Sequence, residues 1–289
     1  MKSQLELAET FLKQAQQPDG SWPYSAGKQS YPEPAAFSLM ALALAEKPPQ
    51  ESLSRGLTWL ESLINTEGAI VLPGDTEPHW STAQTLLALV QVKAPEEIRE
   101  RCAQWLLKRE GRKVDPDPNI PLNVNFRGWP WVTNTFTWVE PTTHAMFALK
   151  AAGYASHERL AEAESLLLDR TCRSAGWNYG NYIVLDRELP PFTYTTSLAL
   201  IALQHRRTEP AVIKALDYLQ KELHNRQSTL SLAYAILCLQ IYELPTEKWV
   251  DDLLKRQESD GSWRHEIHLT AIAVLALRCV TEARNVYRS

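Results

Sequence analysis

Two glutamates stand where a side chain could do proton chemistry. Glu33 lies in Pro32-Glu33-Pro34 and Glu140 in Trp138-Val139-Glu140-Pro141, and each opens a long run of Ala and Leu. A carboxylate at a helix start stabilises the exposed N–H groups there, so capping accounts for both positions without further chemistry. Burial in apolar surroundings would instead raise the carboxyl pKa and make either one a general acid. The helix dipole opposes that shift, and the residue types alone leave its sign open.

The same place in the chain recurs. Six apolar runs begin at Pro34, Ser81, Pro141, Thr195, Ser228 and Leu269, each containing Ala followed by Leu or Ile at 41–42, 88–89, 148–149, 202–203, 235–236 and 276–277. Nine residues before the second member of each pair stand Glu33, Trp80, Glu140, Tyr194, Gln227 and His268. None is aliphatic. Two positions further on comes a small or hydroxyl residue each time: Ala35, Thr82, Thr142, Thr196, Thr229 and Thr270. This register predicts a polar, aromatic collar on an apolar funnel. His144, one turn after Glu140, could pass a proton to or from it, and His79 adjoins Trp80. Trp129, Trp131 and Trp138 follow a Pro-rich connection, and aromatic faces there could stabilise a cation or simply pack the loop. Arg127 could meet an anionic ligand or an internal partner. Asp75 and Glu77 read as loop carboxylates, as do Asp115 and Asp117, although the last two could reach over the mouth.

The elements that must hold these residues are helices. The six apolar runs are hydrophobic nearly all round, as buried helices are. Between them alternate six amphipathic segments, from Leu5, Ser54, Glu97, Glu158, Ala211 and Glu247. No stretch sustains the period-two alternation of a half-buried strand. Residues 1–289 are expected to form one domain, an all-α (α/α)6 toroid with the buried helices as an inner ring and the amphipathic helices outside. An open solenoid is the alternative.

The loops after the amphipathic helices carry a signature. It is complete in Phe11-Leu12-x3-Gln16-x3-Gly20-x-Trp22 and half-complete in Gln257-x3-Gly261-x-Trp263, with weaker copies at Trp59-Leu60…Gly68-x-Ile70 and Gly176-Trp177. This pattern resembles the QW repeat of the prenyltransferase/squalene oxidase repeat family, in particular the squalene–hopene and oxidosqualene cyclases. The resemblance covers essentially the whole chain and implies the same toroid, here as a single domain. It further implies a protonation-initiated (class II) terpene cyclase, an enzyme of the isomerase or lyase type acting on a linear or aryl-linked polyprenyl substrate without a cofactor. Glu140 is similar in placement to the donor, the middle Asp of the family's Asp-x-Asp-Asp-Thr-Ala motif, with His144 to reload it. Trp138 and Pro141 replace the two flanking carboxylates, which weakens that parallel. Glu33, Trp80, Trp129, Trp131, Trp138, Tyr194, Gln227 and His268 would line the substrate site.

Composition narrows the alternatives. The 289 residues carry 30 Lys+Arg against 34 Asp+Glu, a net charge of −4 that disfavours broad nucleic-acid binding. The N-terminus MKSQLELAET is not a signal peptide and no apolar run could span a bilayer, so a cytoplasmic protein with at most peripheral membrane contact is expected. The Cys at 102, 172, 238 and 279 form no CxxC pair and read as reduced, buried thiols. No zinc or magnesium motif is present, and no metal site is expected. Besides the cyclase, two functions stay open: a non-catalytic binding or scaffold protein that kept the repeat, and a carbohydrate-active (α/α)6 enzyme using two carboxylates.

Overall fold

The computed structural model describes residues 1–113, 115–116, 122–184 and 187–288. Outer helices α1 (Lys2–Ala15), α3 (Gln50–Ser62), α5 (Glu96–Lys108), α7 (Glu158–Asp169), α9 (Pro210–Glu222) and α11 (Glu247–Leu254) alternate along the chain with inner helices. The inner helices are α2 (Pro32–Ala43), α4 (Thr82–Gln91), α6 (Val139–Leu149), α8 (Thr193–Ala202), α10 (Thr229–Ile241) and α12 (Ile267–Glu282). A π-helical turn, Lys150–Tyr154, extends α6, and a two-stranded hairpin, β1 (Ile183–Val184) with β2 (Arg187–Glu188), precedes α8.

Each inner helix packs on the next, and α12 packs on α2, so the inner ring is closed. The fold is an (α/α)6 toroid. Its core is the inner ring itself. Every residue of α6 is buried, whereas outer helices such as α3 bury only a stripe. That is the difference between all-round and one-sided hydrophobicity read from sequence.

The repeat loops explain the closure. Indole N–H groups of Trp22, Trp129, Trp177 and Trp263 donate to carbonyls in the last turn of the preceding outer helix, Leu12 (2.8 Å), Leu106 (2.8 Å), Leu167 (2.6 Å) and Leu253 (2.8 Å). Carbonyls in the last turn are the ones left short of i+4 partners, so they can accept from a side chain. The backbone N–H at the Trp place then donates to a threonine in the first turn of the following inner helix. Ile70, Trp129, Trp177 and Trp263 reach Thr82, Thr142, Thr196 and Thr270, each at 3.0 Å. The recurrent spacing of those threonines is thus a loop-to-helix latch. The Gln ties each loop sideways: Gln16 Nε2 donates to the Ser52 carbonyl on α3, and Gln257 Nε2 to the Gln4 carbonyl on α1, both at 2.9 Å. The second bond joins the last repeat to the first, as the closed ring requires.

Gly261 sits in that closing contact with φ +91°, and a Cβ there would meet the Leu7 backbone at 2.6 Å. Gly261→Ala is expected to destabilise the protein by about 2 kcal/mol or more, from left-handed strain plus a backbone clash. Urea unfolding of the two proteins measures it.

Candidate functional site

The collar residues all lie at the N-terminal ends of the inner helices, at one mouth of the ring. Glu33, Glu140, Tyr194 and His268 are each the second residue of their helix, and Trp80 and Gln227 lie just before α4 and α10. Four of the six converge. Glu33 and Glu140 are each only 8% exposed. The Tyr194 hydroxyl donates to Glu140 Oε1 at 2.6 Å, and the Tyr24 hydroxyl donates to Glu33 Oε2. The two carboxyls therefore accept tyrosine hydroxyls instead of the helix N–H groups that simple capping would engage.

Burial decides the sign left open by sequence. It raises both carboxyls to about 7, against the lowering effect of each tyrosine hydrogen bond; the Glu33 charge adds to the rise at Glu140. The N-terminal dipole is outweighed, and a substantial protonated fraction persists at neutral pH. Tyr194, pushed well above its ordinary range by burial and by Glu140, stays a hydroxyl donor.

His268 Nε2 lies 3.7 Å from Glu33 Oε1. That is too long for a hydrogen bond. Burial lowers the imidazole to about 4, so at neutral pH the contact is not an ion pair either. His268 Nε2 is buried without a partner, and its ring meets Phe37 and Tyr24 edge-on at 4.9 and 5.7 Å. His144 is 3% exposed and lowered to about 3, first by burial and then by His268. It is a neutral imidazole, able to relay a proton only by accepting one nitrogen's proton as it gives the other's.

The remaining sequence candidates divide. Trp80 stands against Trp131 edge-on at 4.8 Å and beside His79 at 5.4 Å, forming an aromatic wall by α4. His79 is itself held by Ser81 at 2.7 Å. Trp138, preceding α6, packs against the backbone at Gly180 and borders an amphipathic cleft of about 300 Å³ with Phe126, Phe136 and Arg112. Three residues have structural partners. Trp129 is the repeat tryptophan of its loop, 2% exposed and covered by the Arg159 guanidinium at 4.3 Å, so it anchors that loop, next to Trp80 and Trp131 in the small cleft they share. Gln227 turns away to the Glu222 carbonyl, 2.8 Å, because its short loop has no repeat tryptophan to close α9. Arg127 is engaged by Glu162, with a 2.7 Å ion pair and a backbone contact, so it ties α7 to the loop. Asp75, Glu77 and Asp115 are exposed, and Asp117 lies outside the described residues.

Sequence reading missed the hydroxyls that serve this site. Tyr24 follows the repeat Trp22 by two residues, which was the available signal. Tyr234 meets the Tyr194 ring at 5.2 Å from α10. Gln84 occupies on α4 the register place of Phe37 on α2 and His144 on α6; it is 1% exposed with both amide atoms unpartnered. Among the described residues, no group of three or more His, Cys, Asp or Glu side chains could hold a metal ion. All four cysteines are free and buried.

The backbone is similar to that of solved structures. Apo type II terpene cyclase MstE from Scytonema matches with a TM-score of 0.69 at 15% identity, covering 96% of this chain and 97% of that one. A variant of the same cyclase in complex with its substrate, geranylgeranyl dihydroxybenzoate, matches at 0.67 and 16%, covering 96% of each chain. The GH76A alpha-1,6-mannanase from Salegentibacter also matches at 0.67, with 10% identity over 96% and 98% of the two chains. The likeness is one of fold. No family model matches the chain, and no curated protein matches it in sequence.

Proposed function

We propose that the protein is a protonation-initiated terpene cyclase acting on a linear or aryl-linked polyprenyl substrate, with Glu140 as the acid. The observation that carries this reading is a buried carboxyl at the mouth, raised to about 7 and held on one oxygen by Tyr194. Tyr194 occupies Oε1, which leaves Oε2 to carry the proton. Donation to the CH carbon of the terminal trisubstituted alkene converts the π pair into a C–H bond and leaves a tertiary cation on its neighbour. The next alkene then attacks that cation, and loss of a proton from the last one yields an isomer of the substrate. The Tyr194 hydroxyl steadies the carboxylate formed, until water returns its proton. Trp80, Trp131 and Trp138 offer aromatic faces to the cationic chain.

Exposed Val132, Phe136, Tyr179, Val184, Leu189 and Phe192 all lie in the segments leading into α6 and α8, Val184 in strand β1. Such an apolar rim suits a lipid-soluble substrate taken from a membrane surface. Among the described residues, no helix is long and apolar enough to cross a membrane.

One observation favours a second reading. Two raised carboxyls at one mouth, on a fold shared with a mannanase, suit glycoside hydrolysis, which needs one carboxyl protonated and its partner ionised. Burial is the main cause of the rise at both carboxyls and each accepts one tyrosine hydroxyl, so the surroundings single out neither as the ionised partner. Incubation with a panel of polyprenyl substrates, read by mass spectrometry, tests the cyclase. Products isomeric with substrate are expected. Reducing sugar released from an α-1,6-mannan would favour the hydrolase, and inertness toward both would favour a scaffold.

Removal of the Tyr194 hydroxyl has a signed consequence. Its hydrogen bond lowers the Glu140 pKa, so Tyr194→Phe raises it. The alkaline limb of the rate profile should move to higher pH while kcat falls roughly 10- to 150-fold, since one hydrogen bond to a charged group is worth roughly 1.5–3 kcal/mol. An unmoved limb would detach Tyr194 from the reacting acid.

A further inference from the structure

Outside the ring, the long connection between α5 and α6 folds around the cleft that Trp138 borders. Close backbone contacts shape it. A Cβ on Gly111 would meet the Thr137 side chain at 2.5 Å, so only glycine lets the two strands of the connection approach this far. The Arg112 N–H then donates to the Thr135 carbonyl at 2.7 Å, which brings Arg112 to the same wall as Phe136 and Trp138. On the other side, the end of α7 holds the connection in place. The Asp169 carboxylate accepts from the Asn123 N–H at 3.0 Å, and Arg170 donates to the Asn123 carbonyl at 3.5 Å. The space between is about 300 Å³, and among the described residues none from an inner helix lines it.

The lining is one-sided in charge. Arg112, Lys113, Arg127 and Arg170 contribute to it, and among the described residues no carboxylate does. Three of these cations have partners outside the lining: Glu110 is 3.7 Å from Lys113, Glu162 is 2.7 Å from Arg127, and Asp169 pairs with Arg170. Among the described residues the Arg112 guanidinium has no hydrogen bond or ion pair. Its planar fork matches the two oxygens of a carboxylate. The rest of the lining is largely apolar, with the rings of Phe126, Phe136 and Trp138 beside Leu122 and Val124. Phe136 is 51% exposed, a large ring left half in water that a second ring would cover. The volume is at the lower end for small-molecule sites and suits one or two fused rings. A neutral sugar would leave the arginine without a counter-charge, and a long isoprenoid would not fit.

We propose that this cleft is a binding site for a small aromatic acid, with Arg112 taking the acid group and Phe136 and Trp138 flanking the ring. The site is separate from the collar. Glu33, Glu140, Tyr194 and His268 do not line it, and binding there requires no cyclase chemistry.

2-Naphthoate and 2-naphthol provide the test, because they share their rings and only the first is an anion at pH 7. Binding to the full chain is followed by calorimetry. 2-Naphthoate should bind one to one, about tenfold or more tighter than 2-naphthol, and should weaken as salt is added. Arg112→Gln should cost about tenfold for 2-naphthoate and leave 2-naphthol unchanged. Phe136→Ala should weaken both ligands by roughly two- to tenfold, the worth of one aromatic contact. Both variants should fold, since Arg112 gives the fold its backbone N–H and Phe136 is half exposed. Glu140→Gln should bind 2-naphthoate as the wild type does. Equal affinity for the two ligands, no saturable binding of 2-naphthoate, or unchanged 2-naphthoate affinity in Arg112→Gln or Phe136→Ala would overturn the proposal. So would loss of binding in Glu140→Gln, which would move the ligand to the collar. Binding is read without substrate, so the outcome is independent of whether the protein cyclises a polyprenyl chain.

Discussion

Glu140→Gln should lower turnover about 10²–10⁴-fold, the range that a positioned general acid contributes. The amide preserves the size of the side chain and still accepts the Tyr194 hydroxyl through its oxygen, so the collar keeps its shape. What is lost is the acidic proton. Substrate binding should change little, which places the effect on kcat and leaves KM near its wild-type value. Glu33→Gln should cost less, because Glu33 is turned to Tyr24 and His268 on the other side of the mouth. Steady-state kinetics on the two single variants checks both statements. Equal losses would mean that the carboxyls act as a pair, and a larger loss at Glu33 would transfer the donor role to it.

The second large effect is on stability. Glu33 and Glu140 rise from the usual 4.5 to about 7 on folding, mainly by desolvation. Below about pH 4.5 the carboxyls are protonated in folded and unfolded chains alike, and stability from this source is complete. As pH rises the unfolded chain ionises first, so folding must take up protons and stability falls until the pH passes about 7. A shift of this size corresponds to about 3 kcal/mol per carboxyl at 1.36 kcal/mol per pKa unit. The two charges feel one another, so the losses need not add. The double variant Glu33→Gln with Glu140→Gln should therefore be more stable than wild type at pH 8 by a few kcal/mol, with a flatter profile between pH 5 and 7. Urea denaturation across that range measures it. A wild-type stability that rises over the same interval would show that the carboxyls are ionised in the fold.

The ring was legible in the sequence because its helices differ in kind. All-round apolar runs such as Pro141–Ala151 and one-sided runs such as Glu158–Asp169 can be told apart by pattern alone. The Ala-Leu register placed Glu33, Glu140, Tyr194 and His268 at one end because helical geometry repeats. Gln227 shares that register and yet faces its own preceding helix, since the path of a short loop decides where a side chain before the first turn points. The structural role of Trp129 was hidden for a related reason. Its neighbours Trp131 and Trp138 make the segment look like one aromatic wall, but Trp129 alone has the outer-helix carbonyl of Leu106 within reach. Tyr24 was overlooked as a site residue. It lies in the irregular stretch between Trp22 and α2, where its place two residues after the repeat tryptophan is the signal and helical periodicity carries no information. The burial that raises Glu140 is likewise a property of the closed ring and not of any local stretch.

Reaction of the wild type in D₂O with a polyprenyl substrate bearing a terminal alkene, read by mass spectrometry and NMR, tests the central claim most directly. If Glu140 starts cyclisation with a proton exchanged from solvent, the product carries one deuterium on the ring methylene next to the gem-dimethyl carbon formed from that alkene, and Glu140→Gln forms almost none of it. A cyclised product without deuterium at that methylene, or labelled product formed equally well by Glu140→Gln, would contradict the account.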